Sequence, residues 1–123
     1  MGCGHGFITM ILAQFASFVL GFDVDERAIL QAKNLSKKLN INNVDFQVLD
    51  KELNSIDSYD IAISMDVIEH VPDPVSYLRR INKMVKKGGR LFLGTPNGLI
   101  AQKNKCIIET HSKFHIMEYK VIS

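Results

Sequence analysis

Gly2-Cys3-Gly4-His5-Gly6 stands at the start of the chain and runs directly into an apolar stretch. Glycines at this spacing let a backbone turn sharply and approach a ligand with no Cβ in the way. A helix beginning there offers free N–H groups to a carboxylate or phosphate, although such turns are as readily structural. Asp23 ends the next apolar run. From the end of a strand its carboxylate can accept both hydrogen bonds of a ribose diol; the alternative is a cap on the following helix, which Asp25 can also provide. Asp50 ends the run after that. It can accept from an adenine amino group or serve as an ordinary turn residue. Asp66, Glu69 and His70 lie at i, i+3 and i+4. If that segment turns helically they share one face, and two carboxylates with an imidazole suit Mg²⁺, Mn²⁺, Fe²⁺ or Zn²⁺.

The elements that must position these residues alternate between helical and strand periods. Residues 7–16 read as a helix apolar on most faces, hence buried. Residues 18–22 read as a short strand. Residues 26–39 read as an amphipathic helix with Asp25 at its N-cap and Ala28, Ala32, Leu35 and Leu39 on one face. Residues 44–49 alternate as a half-covered strand, while 60–65 are continuously apolar, as in a central parallel strand. Residues 74–86 carry both helix signals, with Asp73 and Pro74 at the start and Gly88 just past the end. Leu78, Ile81 and Val85 form its expected core face. Residues 90–95 read as the next strand, and 99–123 as mostly loop. Such alternation predicts an α/β fold, a parallel sheet with helices on both faces. Glycine turn, acid and acid then fall at successive strand ends on the carboxyl edge, where ligands bind in such sheets.

Composition narrows the partners. With 123 residues, 46% hydrophobic and 23% charged, the chain reads as one ordinary globular domain. A net charge of +2 is too small to argue for a nucleic-acid binder on charge alone. The basic pairs Lys37-Lys38, Arg79-Arg80 and Lys86-Lys87 have no interleaved aromatics and read as solvated helix faces and ends. Cys3 and Cys106 have neither metal nor redox spacing, which points to a reducing, cytoplasmic setting. The apolar run 7–22 is interrupted and short for a membrane span. Gly6 occupies the place where a myristoylation signal after Met1-Gly2 needs Ser or Thr.

Taken in order, several stretches resemble a class I S-adenosylmethionine-dependent methyltransferase of the ubiquinone-biosynthesis O-methyltransferase-like group. They are Gly2-Cys3-Gly4-His5-Gly6, Gly21-Phe22-Asp23-Val24-Asp25, Val48-Leu49-Asp50, Asp66-Val67-Ile68-Glu69-His70-Val71-Pro72-Asp73-Pro74, and Gly88-Gly89-Arg90 through Thr95-Pro96-Asn97. The resemblance implies a Rossmann-like sheet and S-adenosyl-L-methionine as cofactor. It places Gly2, Cys3, Gly4 and Gly6 at the amino-acid part of that cofactor, and Asp23 with Val24 at the ribose. Asp50, flanked by Leu49 and Lys51, falls at the adenine, and Met65 near the reactive methyl. The implied partner is a small-molecule methyl acceptor, with O-methylation of a phenol-like or quinone-precursor hydroxyl foremost and N-, C- or RNA 2′-O-methylation behind it.

The resemblance also frames the Asp66, Glu69 and His70 set. It looks like that of metal-assisted O-methyltransferases, with His115 as a fourth ligand from a His-x-x-Glu-aromatic tail. In members without a metal the acids face solvent, and His70 positions the loop or acts as the catalytic base. Against the family pattern, the first strand, the acid two positions before the first glycine and the last two strands are missing. That predicts a partial domain spanning 1–123, with strands 18–22 and 60–65 deprived of their shared neighbour, and an inactive or scaffolding fragment as the alternative. A nicotinamide-binding domain is less consistent, because the loop is G-x-G-x-G and Phe7 stands where G-x-G-x-x-G needs its third glycine.

Overall fold

The computed structural model describes residues 1–49 and 56–96. In chain order they form α1 (Phe7–Leu12), β1 (Val19–Asp23), α2 (Glu26–Lys38), β2 (Val44–Val48), β3 (Tyr59–Met65), a 3-10 turn (Ile68–His70), α3 (Pro74–Met84) and β4 (Val85–Gly94). The chain divides into two units, Met1–Leu53 and Asn54–Ser123. Among the described residues each holds one two-stranded parallel sheet, β1–β2 in the first and β3–β4 in the second. This is the α/β class with parallel strands that the alternating pattern predicts.

In the first unit α2 begins because Asp25 Oδ1 accepts from the Arg27 and Ala28 N–H groups, at 2.9 and 3.4 Å. Such a cap satisfies donors that have no partner inside the helix. Glu26 in the first turn and Lys37 and Lys38 in the last suit the helix dipole. The buried face is Ala28, Ile29, Ala32 and Ser36. Leu35 packs partly against the core, whereas Leu39, expected on that face, caps the helix and is exposed. Phe46 on β2 is fully buried and centres a core with Met10, Ile29 and Ala32. Helix α1 is shorter than the periodicity predicts and is not buried all round. Thr9 and Met10 face inward, but Phe7, Ile8 and Ile11 are exposed, as is Phe15 beyond its end. A helix of under two turns rests on β1 by one face only, so its other apolar positions stay outside. The Asn43 side chain closes its carboxyl end, donating to the carbonyls of Ala13 at 2.7 Å and Ala16 at 3.0 Å.

In the second unit α3 starts as the Asp73-Pro74 signal predicts. Asp73 accepts from the Ser76 N–H and hydroxyl, at 3.1 and 2.6 Å, and those bonds hold its carboxyl below the usual carboxylate range. The helix ends at Met84, two residues early. Val85, expected on its core face, is extended and pairs with Tyr59. The register then jumps, with Ile61 opposite Arg90, so Lys86-Lys87-Gly88-Gly89 bulges from β4. Gly88 takes the bend at φ +82°. The face α3 buries is Tyr77, Ile81 and Met84. Strand β3 is not covered as a central strand would be. Ser64 is buried, but Ile61 and Met65 are about half exposed, at 54% and 47%. Among the described residues no helix is long and apolar enough to cross a membrane.

Candidate functional site

At the carboxyl end of β1 the Asp23 carboxylate ties two turns together. Its Oδ2 accepts from the Gly4 N–H at 2.8 Å and its Oδ1 from the Asp25 N–H at 3.0 Å. Asp23 therefore does not cap α2, a task Asp25 performs. Backbone bonds extend the arrangement: Cys3 N–H donates to the Phe22 carbonyl at 2.8 Å, and Leu49 N–H to the Asp23 carbonyl at 2.7 Å. The glycine loop is thus laid across the end of β1, with the end of β2 beside it.

The glycines have distinct tasks. Gly6 has φ +84°, and a Cβ there would lie 2.6 Å from the Phe46 ring and 2.9 Å from Ala32 Cβ. It serves the core. Gly4 has φ +51° and nothing within 4 Å of the same position, so its outer side is open to a ligand. Cys3 fills space beside Gly21. Burial, with the Asp23 carboxylate adding to it, pushes the Cys3 thiol up to about 11. A protonated thiol is a poor nucleophile, and a packing role suits it. Val24 is exposed and Leu49 half-buried at the same edge. Asp50 and Lys51 lie outside the described residues.

The carboxyl ends of β3 and β4 are joined by Asp66 N–H donating to the Gly94 carbonyl at 2.9 Å. Asp66 itself is exposed and left-handed, at φ +52°. Met65 lies across Gly94, where any side chain on residue 94 would collide with it. Glu69 is fully buried, and its Oε2 accepts from the Thr95 hydroxyl at 3.2 Å. His70 is partly exposed, with Nε2 4.0 Å from Glu69 Oε1. Deeper, Ser64 and Tyr77 share a buried hydroxyl–hydroxyl bond of 2.7 Å. Burial raises the Tyr77 phenol above its usual value, with a smaller contribution from Glu69.

The shared helical face expected of Asp66, Glu69 and His70 is absent. Only Ile68–His70 turns, as a single 3-10 turn, while Asp66 precedes it in a left-handed conformation and Glu69 points into the interior. Among the described residues no three His, Cys, Asp or Glu side chains converge as a metal site. His115 lies outside the described residues. A hollow of about 440 Å³ lined by Asp57, Asn82 and the 85–89 bulge sits at the amino end of β4, the edge away from these residues.

Residues 1–120 match a family described as a methyltransferase domain. This chain belongs to the class I S-adenosylmethionine-dependent methyltransferases. It is 35% identical over 99 residues to the ubiquinone biosynthesis O-methyltransferase of Coxiella burnetii, covering 79% of this chain and 42% of that protein. The chain thus spans less than half the length of that curated relative. The YcgJ protein of Bacillus subtilis has the same fold, with a TM-score of 0.83 at 18% identity over 98% of this chain and 54% of that one. An S-adenosylmethionine-dependent methyltransferase from Mesorhizobium loti superposes with a TM-score of 0.68 at 25% identity, covering 78% and 44%.

Several residues of this methyltransferase that matter to the two edges carry no sequence signal of their own. Thr95, just past a strand, Ser64 in a strand and Tyr77 in a helix are ordinary residues until pairing and burial bring them to Glu69 and to each other. The Gly4–Asp23 bond joins residues far apart in sequence, and only their both standing at turns hints at it.

Proposed function

We propose that the first unit of this methyltransferase binds S-adenosylmethionine along its glycine loop, and that the protein transfers the methyl group to a hydroxyl of a small organic acceptor. The observation that carries this is the Asp23 carboxylate holding Gly4 at the end of β1, beside a loop whose outer side is open. The residues fit the cofactor. Gly2, Cys3, Gly4 and Gly6 let the backbone approach its amino-acid part. Asp23 keeps lone pairs beyond its two backbone bonds for the ribose hydroxyls. Val24 follows Asp23 at the ribose, Leu49 offers apolar surface to the adenine, and Asp50 is the acceptor for its amino group. Met65 belongs near the transferred methyl.

When bound, S-adenosylmethionine supplies an electrophilic methyl on a sulfonium. The protein's part is to align an acceptor oxygen and remove its proton. His70, partly exposed in the turn after β3, is the base of this reading. A hydroxyl acceptor is supported by the likeness to ubiquinone biosynthesis O-methyltransferases. The test is transfer of labelled methyl to catechols and phenols, each paired with its methoxy analogue. Label on the hydroxyl compounds alone, cut at least tenfold by His70→Ala with cofactor affinity intact, is the expected result. Label on amines or carbon, or an indifferent His70→Ala, contradicts it.

A further inference from the structure

Glu69 has no exposed surface, yet it adjoins the partly exposed His70. A buried carboxylate must be held by donors, because leaving one unsatisfied is costly. One donor comes from a different strand end: the Thr95 hydroxyl, just past β4, at 3.2 Å from Oε2. The other oxygen, Oε1, is the one that faces the imidazole, 4.0 Å from Nε2. With Oε2 committed to Thr95, the carboxylate cannot rotate without breaking that bond, so Oε1 stays directed at His70. At that range the carboxylate oxygen is beyond hydrogen-bond distance and acts through its charge, which favours the proton on Nε2 and leaves Nδ1 with the lone pair. The backbone bond from Asp66 to Gly94 keeps the two strand ends together, so the geometry does not rest on one side chain.

We propose that Thr95 is a positioning residue: by pinning the buried Glu69 carboxylate it sets the tautomer and orientation of the His70 imidazole. Its consequence for catalysis rests on the methyl-transfer reading above, whereas the orientation itself does not. Threonine is suited to the task. Its hydroxyl donates to Glu69, so serine keeps the bond and valine keeps only the shape.

The measurement is ¹⁵N–¹H correlation of the imidazole rings in the full chain, with the His70 signals assigned by their loss in His70→Gln. The wild type and Thr95→Ser are expected to hold the Nε2–H tautomer. Thr95→Val is expected to lower the ratio of Nε2–H to Nδ1–H at least threefold, and Glu69→Gln to do the same with the hydroxyl still in place. Thr95→Ala removes the hydroxyl without adding bulk and replaces the valine variant if that one does not fold. An unchanged ratio in a folded Thr95→Val or Thr95→Ala chain, or a change that Thr95→Ser shares, overturns the proposal. S-adenosylmethionine titrated into the same samples separates the two readings. Absence of cofactor binding removes the methyl-transfer role, while the tautomer ratio still decides what Thr95 does.

Discussion

The two units secure their strand ends by different means. In the first, the glycine loop is held by its own backbone N–H groups, Gly4 donating to the Asp23 carboxylate and Cys3 to the Phe22 carbonyl, and by Gly6 pressed against the fully buried Phe46. In the second, the backbone bond from Asp66 to Gly94 is joined by side-chain pairs: a hydroxyl on a buried carboxylate at Glu69–Thr95, and two hydroxyls on each other at Ser64–Tyr77. Apart from the Asp23 carboxylate, the first edge is built of backbone donors that any substitution but proline leaves in place, so it is vulnerable chiefly through that one carboxylate, through volume and through backbone conformation. The second is vulnerable through single polar atoms. This division matches the chemistry proposed for each, a rigid cradle for an invariant cofactor and a side-chain assembly for an acceptor and its proton.

The largest expected effect breaks the first edge through volume. Gly6→Ala forces a left-handed alanine, about 1–2 kcal/mol, and drives a methyl into the Phe46 ring, about 1–3 kcal/mol more. Urea unfolding followed by amide exchange in β1 and β2 should show a loss of about 2–5 kcal/mol. A loss below that range would mean the ring yields and the loop is not set by the core.

A smaller effect tests the second edge. Tyr77→Phe leaves the buried Ser64 hydroxyl without its partner and should cost about 1–3 kcal/mol, read as faster exchange in β3. Removing both hydroxyls, in Ser64→Ala with Tyr77→Phe, should cost less than the sum of the single changes. Strict additivity would show that the two groups do not act as a pair.

The smallest effect is chemical. The Cys3 thiol is raised from 9.0 to about 11, so folding favours its protonated form. That contribution to stability is fully present below pH 9 and is lost as pH rises through about 11. In a Cys106→Ser background, alkylation of Cys3 at pH 8 should run roughly a hundredfold slower than in the urea-unfolded chain. Equal rates would place the thiol outside the packed loop.

How much of this was legible from residues alone follows the same division. Asp25 and Asp73-Pro74 mark their helix starts correctly, because a cap is a local property of short polar side chains. The strand runs and the Asp23 turn are legible because apolar stretches that stop at an acid have few other solutions. Val85 misleads, since it continues the helical spacing of Leu78 and Ile81. Only its pairing with Tyr59 in the register of β3 makes it a strand residue. The burial expected of α1 fails for the reverse reason: an apolar pattern says what prefers to be covered, not what is there to cover it. Glu69 is the clearest case. Beside Asp66 and His70 its spacing points outward to a metal, whereas the 3-10 turn and the distant Thr95 hydroxyl take it inward.

The central claim is that Asp23 and the glycine loop form the cofactor cradle, and titration calorimetry of S-adenosylmethionine into the chain tests it most directly. Saturable one-to-one binding is the result this account predicts. Asp23→Ala should weaken it by about 1.5–3 kcal/mol, the range for hydrogen bonds to a charged group, while Asp25→Ala, which removes only the α2 cap, leaves affinity within a few fold. No saturable binding by the folded chain, or equal affinity in the wild type and Asp23→Ala, would contradict it.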